Sequence, residues 1–311
     1  MIDQNNSKSL LAILVMVFVF FIILVIFAVY TVKAMKDSDD IKTSVDSDDA
    51  QIAVIEISEV ITSSKEIVEK LIKAEEDKEI KAIIVRIDSP GGTVGPTQEI
   101  YEEILRIDEE KPVYASLGSI AASGGYYIAA ATRKIYSNAG TLTGSIGVIM
   151  NFMDSSKLLE FAKLVPNTVK AGKFKDVGSG ERSMTEEERA LLEGTVNSVH
   201  EQFKNDILKR RKEKITKDFN EIAQGQIFSG QEALSLGLVD AVAGLWAAGR
   251  AIHTELKLKG EFKLRFLKDK KKNSLWDLAE SLEESITDLK LGNILGQKTL
   301  MYLYAPQFSG K

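Results

Sequence analysis

The sequence contains no cysteine, which excludes disulfides, a thiolate nucleophile and Cys-based zinc sites. It holds only two histidines, His200 and His253, too few for a His-rich metal site. Each falls in a stretch of helical character (NSVHEQF and AAIHTEL), where a structural role is expected. No metal and no cofactor is therefore expected. Long basic runs are also absent and the net charge is −5, which argues against nucleic acid as a partner. The rest of the composition is ordinary. Apolar and charged fractions of 44% and 27% are those of a globular protein, and 311 residues suffice for one large domain or two smaller ones.

The longest apolar run is Leu10–Val32, which carries no charged residue. At ~1.5 Å per residue it makes roughly 35 Å of helix, enough to cross a ~30 Å hydrocarbon core. A cleaved signal peptide would have a shorter apolar region, about 7–15 residues, with a small-x-small site after it. A single transmembrane anchor is the better reading. Lys8 on one side, against Lys33 and Lys36 on the other, leans towards a cytoplasmic body. The acidic, Ser-rich stretch Asp37–Ala50 reads as a solvated tether. The expected organisation is a tail at 1–9, an anchor at 10–32, a linker at 33–50, a core at 51–255 and a helical extension at 256–311.

From Gln51 the pattern becomes regular. Ile52–Ile57 is a β-branched run, and Ser63 and Ser64, with Glu66, predict a capped helix through Asp77. Ala82–Ile87 reads as a strand buried on both faces. A helix follows around Gln98–Ile107, then a strand at Val113–Ser116, a loop at Leu117–Ala122 and a helix starting at Ser123. Repeated strand–helix units predict an α/β fold with a parallel sheet, whose ligands collect beyond the strand C-terminal ends. The loops Ser89–Thr93 and Gly118–Gly125 fall there, one unit apart.

Ser123 follows a strand, opens a helix and precedes Gly124 and Gly125. That is the logic of a nucleophile elbow, with the Gly124 N–H aimed at a developing oxyanion; an N-cap serine is the plain alternative. Ser89-Pro90-Gly91-Gly92 lets a peptide backbone approach closely, with the Gly92 N–H as a second oxyanion donor, or it is simply a β-turn. With no usable histidine, a neutral lysine is the remaining base. It must titrate near pH 7–8, about 3 units below the ordinary ~10.4. Lys170, Lys173 and Lys175 cluster in Val169–Asp176.

The runs Ala121–Ala129 and Ser89–Gly92 resemble the signal peptide peptidase SppA family. So do Leu142–Val148, Lys170–Asp176, and Gly225–Gly230 continuing to Asp240. They occur in the family's order across most of residues 51–245. The resemblance implies a ClpP/crotonase-like fold and a Ser–Lys dyad serine protease. Ser123 matches the nucleophile, Lys175 the general base, Ser145 the serine that orients that lysine, and Gly92 and Gly124 the oxyanion donors. Lys173, two residues from Lys175, is the alternative register. The resemblance further implies a single-core member that assembles into a homo-oligomeric ring, with Ser123 and Lys175 of one site drawn from one chain or from two. It implies a bacterial cytoplasmic membrane protein with an extracytoplasmic body, acting on cleaved signal peptides and other short apolar peptides. The orientation opposes the lysine count, and the ordered motifs outweigh it.

The apolar tail Met301–Ala305 is expected to lie in the enzyme's own groove as a product-like peptide. Other readings are a related membrane-bound Ser–Lys protease acting on a specific membrane protein, an acyl-CoA hydratase or isomerase, and an inactive peptide-binding scaffold.

Overall fold

The computed structural model describes residues 14–27, 47, 49–267 and 301–303. The chain divides into two compact units, Met1–Ser47 and Asp48–Lys311.

In the first unit α1 (residues 14–27) is a helix with every side chain exposed. Its length is roughly 21 Å, short of a ~30 Å hydrocarbon core. No described helix is long and apolar enough to cross a membrane. The remaining residues of the span expected at 10–32 lie outside the described residues, as do most of the linker and, in the helical extension expected at 256–311, residues 268–300 and 304–311.

The second unit opens with β1 (Ile52–Ser58), α2 (Lys65–Glu76), β2 (Ala82–Ser89), β3 (Gly91–Thr93), α3 (Val94–Glu110), β4 (Val113–Ala122) and α4 (Gly124–Ala130). Then come β5 (Lys134–Ser137), β6 (Leu142–Gly144), α5 (Ser156–Phe161) and α6 (Glu186–Arg211). The last elements are α7 (Phe219–Ile222), β7 (Ile227–Ser229), α8 (Gly230–Ser235), β8 (Ala241–Val242), α9 (Leu245–Glu255), β9 (Arg265–Phe266) and β10 (Met301–Leu303). The main sheet runs β7-β6-β4-β2-β1-β9, with β5 joining β4 to β8. Its pairings are parallel except β6–β7.

Alternate residues explain why β1 and β2 are apolar at each of their first four positions, before Glu56 and Arg86. Ala53, Ile55, Ile57, Ile83, Val85 and Ile87 point into the layer that contains Leu71 of α2, Ile104 of α3, Tyr127 of α4 and Phe203 of α6. Ile52, Val54, Ala82 and Ile84 point the other way, against Ala248 and Ile252 of α9. A strand covered on both faces has no solvent side to keep polar. Each buried Ile contributes about 2–3 kcal/mol over an exposed one.

Three local expectations change. Ser64 is the N-cap of α2 but its side chain does not cap it; the hydroxyl donates instead to Glu99 on α3. The next helix starts at Val94 rather than near Gln98, because Pro96 falls in the first turn, where the missing N–H costs nothing. Finally β4 runs on to Ala122 through the expected loop, since Ile120–Ala122 pair with Leu142–Gly144 of β6.

Candidate active site

Strands β2, β4 and β6 run parallel and finish at the same end of the sheet. Ser123 is the single residue between β4 and α4, with φ 53° and ψ −115°. That backbone region costs a residue with a Cβ on the order of 1–3 kcal/mol and is tolerated only where the surroundings enforce it. Here they do. The Ser123 N–H donates to the Gly144 carbonyl (2.8 Å), and the Ser123 carbonyl accepts from the Tyr127 N–H (2.9 Å). All of α4 is buried. The Tyr127 hydroxyl donates to the Asp206 carboxylate on α6, and Tyr101 donates to the Asp206 carbonyl at 2.9 Å. Ser123 occupies the N-cap position, yet its side chain makes no capping hydrogen bond.

Ala122 pairs with Gly144 in parallel register, so Ser123 and Ser145 are the next residues on adjacent chains. Ser145 is also left-handed, at φ 50°. It is nearly buried, and its N–H donates to the Gln226 carbonyl at 2.6 Å.

The Ser89–Gly92 segment is not an isolated turn: Ser89 closes β2, and Gly91 and Gly92 open β3, a short strand between two partners. On one side the Ile61 N–H donates to the Gly91 carbonyl (2.9 Å) and the Thr93 N–H to the Ile61 carbonyl (2.8 Å). The two polar groups of one planar trans peptide point in opposite directions. The Gly92 N–H and carbonyl therefore face the other edge of β3. There β10 runs antiparallel, with Tyr302 opposite Gly92. A Cβ on Gly125 would sit 2.8 Å from the Ser89 carbonyl oxygen, so the start of α4, with the Gly124 N–H, packs directly on this segment.

The lysines lie in an excursion between β6 and α6, the arm. Lys170 pairs with Asp176, and Lys173 Nζ lies 2.6 Å from a Glu187 carboxylate oxygen. Lys175 is exposed, in a turn closed by its own N–H to the Gly172 carbonyl (3.2 Å). Among the described residues its ammonium has no hydrogen-bond or ion-pair partner. No hydrogen bond joins it to Ser123 or Ser145. Arg182 ties the arm root together by pairing with Asp176 and Glu188. Hydrogen bonds from Arg182, then from Lys170, hold the Asp176 carboxyl well below the usual carboxylate range. The bond from Arg182, then the Thr185 N–H, holds Glu188 at about 2.

Neither histidine reaches Ser123. His200 Nε2 lies 3.2 Å from the Ile146 carbonyl, and His253 packs edge-on to Phe262. Among the described residues no cluster of acidic and imidazole groups suits a metal. The sequence reading missed Asp88, whose carboxylate accepts the Ser119 and Ile120 N–H groups. It stands immediately before Ser89-Pro90-Gly91-Gly92, but its amide partners lie about thirty residues on and are brought to it by sheet pairing.

Similarity to known proteins bears on this arrangement. Residues 106–259 match the model of peptidase family S49, and residues 33–142 that of Clp protease. A protein of Synechocystis sp. named as a protease is 41% identical over 204 residues, covering 64% of this chain and 73% of that one. The chloroplastic serine protease SPPA of Arabidopsis thaliana is 34% identical over 183 residues, 58% of this chain and 27% of that one. An Enterococcus faecium protein named as signal peptide peptidase SppA is 34% identical over 190 residues, 61% of this chain and 55% of that one. On these matches, the chain belongs to peptidase family S49, the SppA family, and is a serine peptidase.

Proposed function

We propose that the chain is a membrane-anchored serine endopeptidase that degrades signal-peptide remnants and other short apolar peptides. The observation that carries this reading is Ser123 held strained beside Ser145, with the Gly92 amide turned to an edge where residues 301–303 lie as a paired strand. A peptide added to that edge is bound by main-chain hydrogen bonds, so its carbonyls come to the Gly92 and Gly124 N–H groups. Lys175, neutral, accepts the Ser123 hydroxyl proton as Oγ attacks the scissile carbonyl carbon. The carbonyl oxygen takes the displaced electron pair against the two amides. Collapse breaks the C–N bond, and the Lys175 ammonium protonates the leaving amine. Water then attacks the acyl-enzyme ester by the same route in reverse.

Lys175 is favoured over its neighbours because Lys170 and Lys173 are committed to carboxylates. A lysine works as a base only when burial disfavours its charge. Lys175 is exposed on its own chain, so that burial comes from a second subunit. The arm also carries Phe161, Val165 and Val169 at 87%, 88% and 96% exposure, a surface that a second copy would cover. A homo-oligomeric ring in which Lys175 of one subunit serves Ser123 of the next accounts for both. Residues 10–32, uncharged throughout, are the anchor. The body lies on the extracytoplasmic side of a bacterial cytoplasmic membrane, where signal peptides are released.

The paired strand at 301–303 favours the reading of the tail as a product-like peptide. Intact-mass comparison of wild type with Ser123→Ala tests it: a C-terminus shortened only in the wild type is expected, and identical termini would count against self-cleavage. For the dyad, Ser123→Ala and Lys175→Ala each abolish peptide hydrolysis while assembly is retained. Full activity in Lys175→Ala would overturn the assignment.

A further inference from the structure

Strands β2 and β4 are paired in step from Ile83–Val113 to Ile87–Leu117, and again at Ser89–Ala121. Between those points β2 advances from 87 to 89 while β4 advances from 117 to 121. The surplus of β4 is a bulge at Gly118–Ile120, and it lies against Asp88. One carboxylate oxygen of Asp88 accepts the N–H groups of Ser119 and Ile120, both at 3.1 Å. Gly118 leaves room for the carboxylate, since a Cβ there would stand 2.6 Å from Asp88 Cγ.

The chain is held on both sides of the bulge. The Leu117 carbonyl accepts from Arg86 (2.8 Å) and from Asn138 (3.1 Å). Thr141 donates its hydroxyl to the Gly118 carbonyl (2.6 Å), and Thr143 donates to the Ala121 carbonyl (2.7 Å). The two amides that Asp88 takes fall in the gap between paired stretches, where β2 offers them no main-chain partner. Two surplus residues displace the downstream part of β4 by roughly 7 Å relative to β2. Without them Ser119 would pair with Ser89, and Ser123 would run past the end of β6.

We propose that Asp88 is a positioning residue for the nucleophile: by gathering the Ser119 and Ile120 amides it holds the bulge whose register delivers Ser123 beside Ser145 and the Gly92 amide. This rests on Ser123 being the nucleophile. The test uses the full-length chain in detergent and compares Asp88→Ala, Asp88→Asn, Gly118→Ala and Ser123→Ala. The readouts are kcat and KM for a short apolar peptide, together with the rate at which a fluorophosphonate labels Ser123.

Asparagine keeps the accepting oxygen and alanine does not. A displacement of the nucleophile of about 1 Å costs about 100-fold in rate. Asp88→Ala is therefore expected to lower kcat and labelling together by about 100-fold with little change in KM, and Asp88→Asn to stay within several-fold of wild type. Gly118→Ala retains every hydrogen-bonding group but pushes the carboxylate away. It should lose kcat to a similar degree, which keeps the proposal testable if Asp88→Ala does not fold. Wild-type kcat in Asp88→Ala or Gly118→Ala, or equal losses in the Ala and Asn variants, would overturn it. Activity surviving in Ser123→Ala would instead overturn the nucleophile reading.

Discussion

At the scale of single residues the site is a set of backbone positions that ordinary residues avoid. Ser123 and Ser145 both have φ near +50°, and the strain at Ser123 is imposed by the pairing of β4 with β6 and the burial of α4. Ser123→Gly should abolish hydrolysis and raise stability by about 1 kcal/mol, since glycine adopts that backbone freely; urea unfolding reads the difference. A stability equal to that of Ser123→Ala would mean the strain is not there. The lysines separate in the same way. Lys173→Ala removes an exposed ion pair to Glu187, worth about 0–1 kcal/mol, and should leave activity intact. Lys175→Ala removes the proposed base and should lower kcat by about 10²–10⁴-fold. The backbone turn at Ser123 was legible in the sequence, where Ser123 stands between a strand pattern and two glycines. The shortage of histidine is what directs the proposed base to lysine. Asp88 was not legible, because its partners Ser119 and Ile120 meet it only through a sheet pairing that no local pattern encodes.

Elements were readable where one physical cause dominated. Ile52–Ile55 and Ala82–Val85 are apolar at every step because both faces of the sheet are covered there, by α2, α3 and α4 on one side and α9 on the other. The second half of β4, Leu117–Ala122, lacked that signal: Gly118 and Ser119 read as loop, and it is strand through its pairing with β6, with Asp88, Thr141 and Thr143 holding its backbone. The helix that follows Ser123 is tied by the Tyr126 hydroxyl, which donates to the Leu238 carbonyl at 2.8 Å, to a segment that α6 holds through a buried pair. Arg211, 1% exposed, donates to Asp240 and to the Gly237 carbonyl, both at 2.6 Å. Burial alone would raise the Asp240 carboxyl, but Arg211, Lys214 and the Ile135 N–H outweigh it and the group lies below its ordinary value. Its contribution is therefore complete above the unfolded carboxyl value, near pH 4, and is lost as pH falls through the depressed value. Arg211→Leu takes away the buried partner and leaves Asp240 to Lys214 and the Ile135 N–H, which should cost about 1.5–3 kcal/mol. Thermal unfolding at pH 7 measures the loss, and at pH 3 the gap from wild type should narrow. An unchanged gap would show that Asp240 is not the group responsible.

At the scale of the whole molecule, a single chain carries both halves of the proposed dyad without joining them. Ser123 is buried at the end of β4, whereas Lys175 rides on an arm whose Phe161 and Val165 stand in solvent. An apolar arm bearing an unpartnered lysine makes sense if it crosses to a neighbour, a head-to-tail contact that closes into a ring. Two consequences distinguish this from a dyad within one chain. Phe161→Asp with Val165→Asp should release subunits and abolish hydrolysis together, as light scattering and peptide assay would register; an active monomer would contradict the arrangement. The sharper test mixes two dead proteins. Ser123→Ala retains every Lys175, and Lys175→Ala retains every Ser123. Within one chain neither can help the other, and a mixture stays inactive. Across subunits, random mixing in equal amounts joins an intact serine to an intact lysine at about a quarter of the sites, so unfolding and reassembling the two together should restore about a quarter of wild-type activity. Silence from a mixture that has demonstrably co-assembled would place both residues in one chain and require the arm to fold back onto its own site.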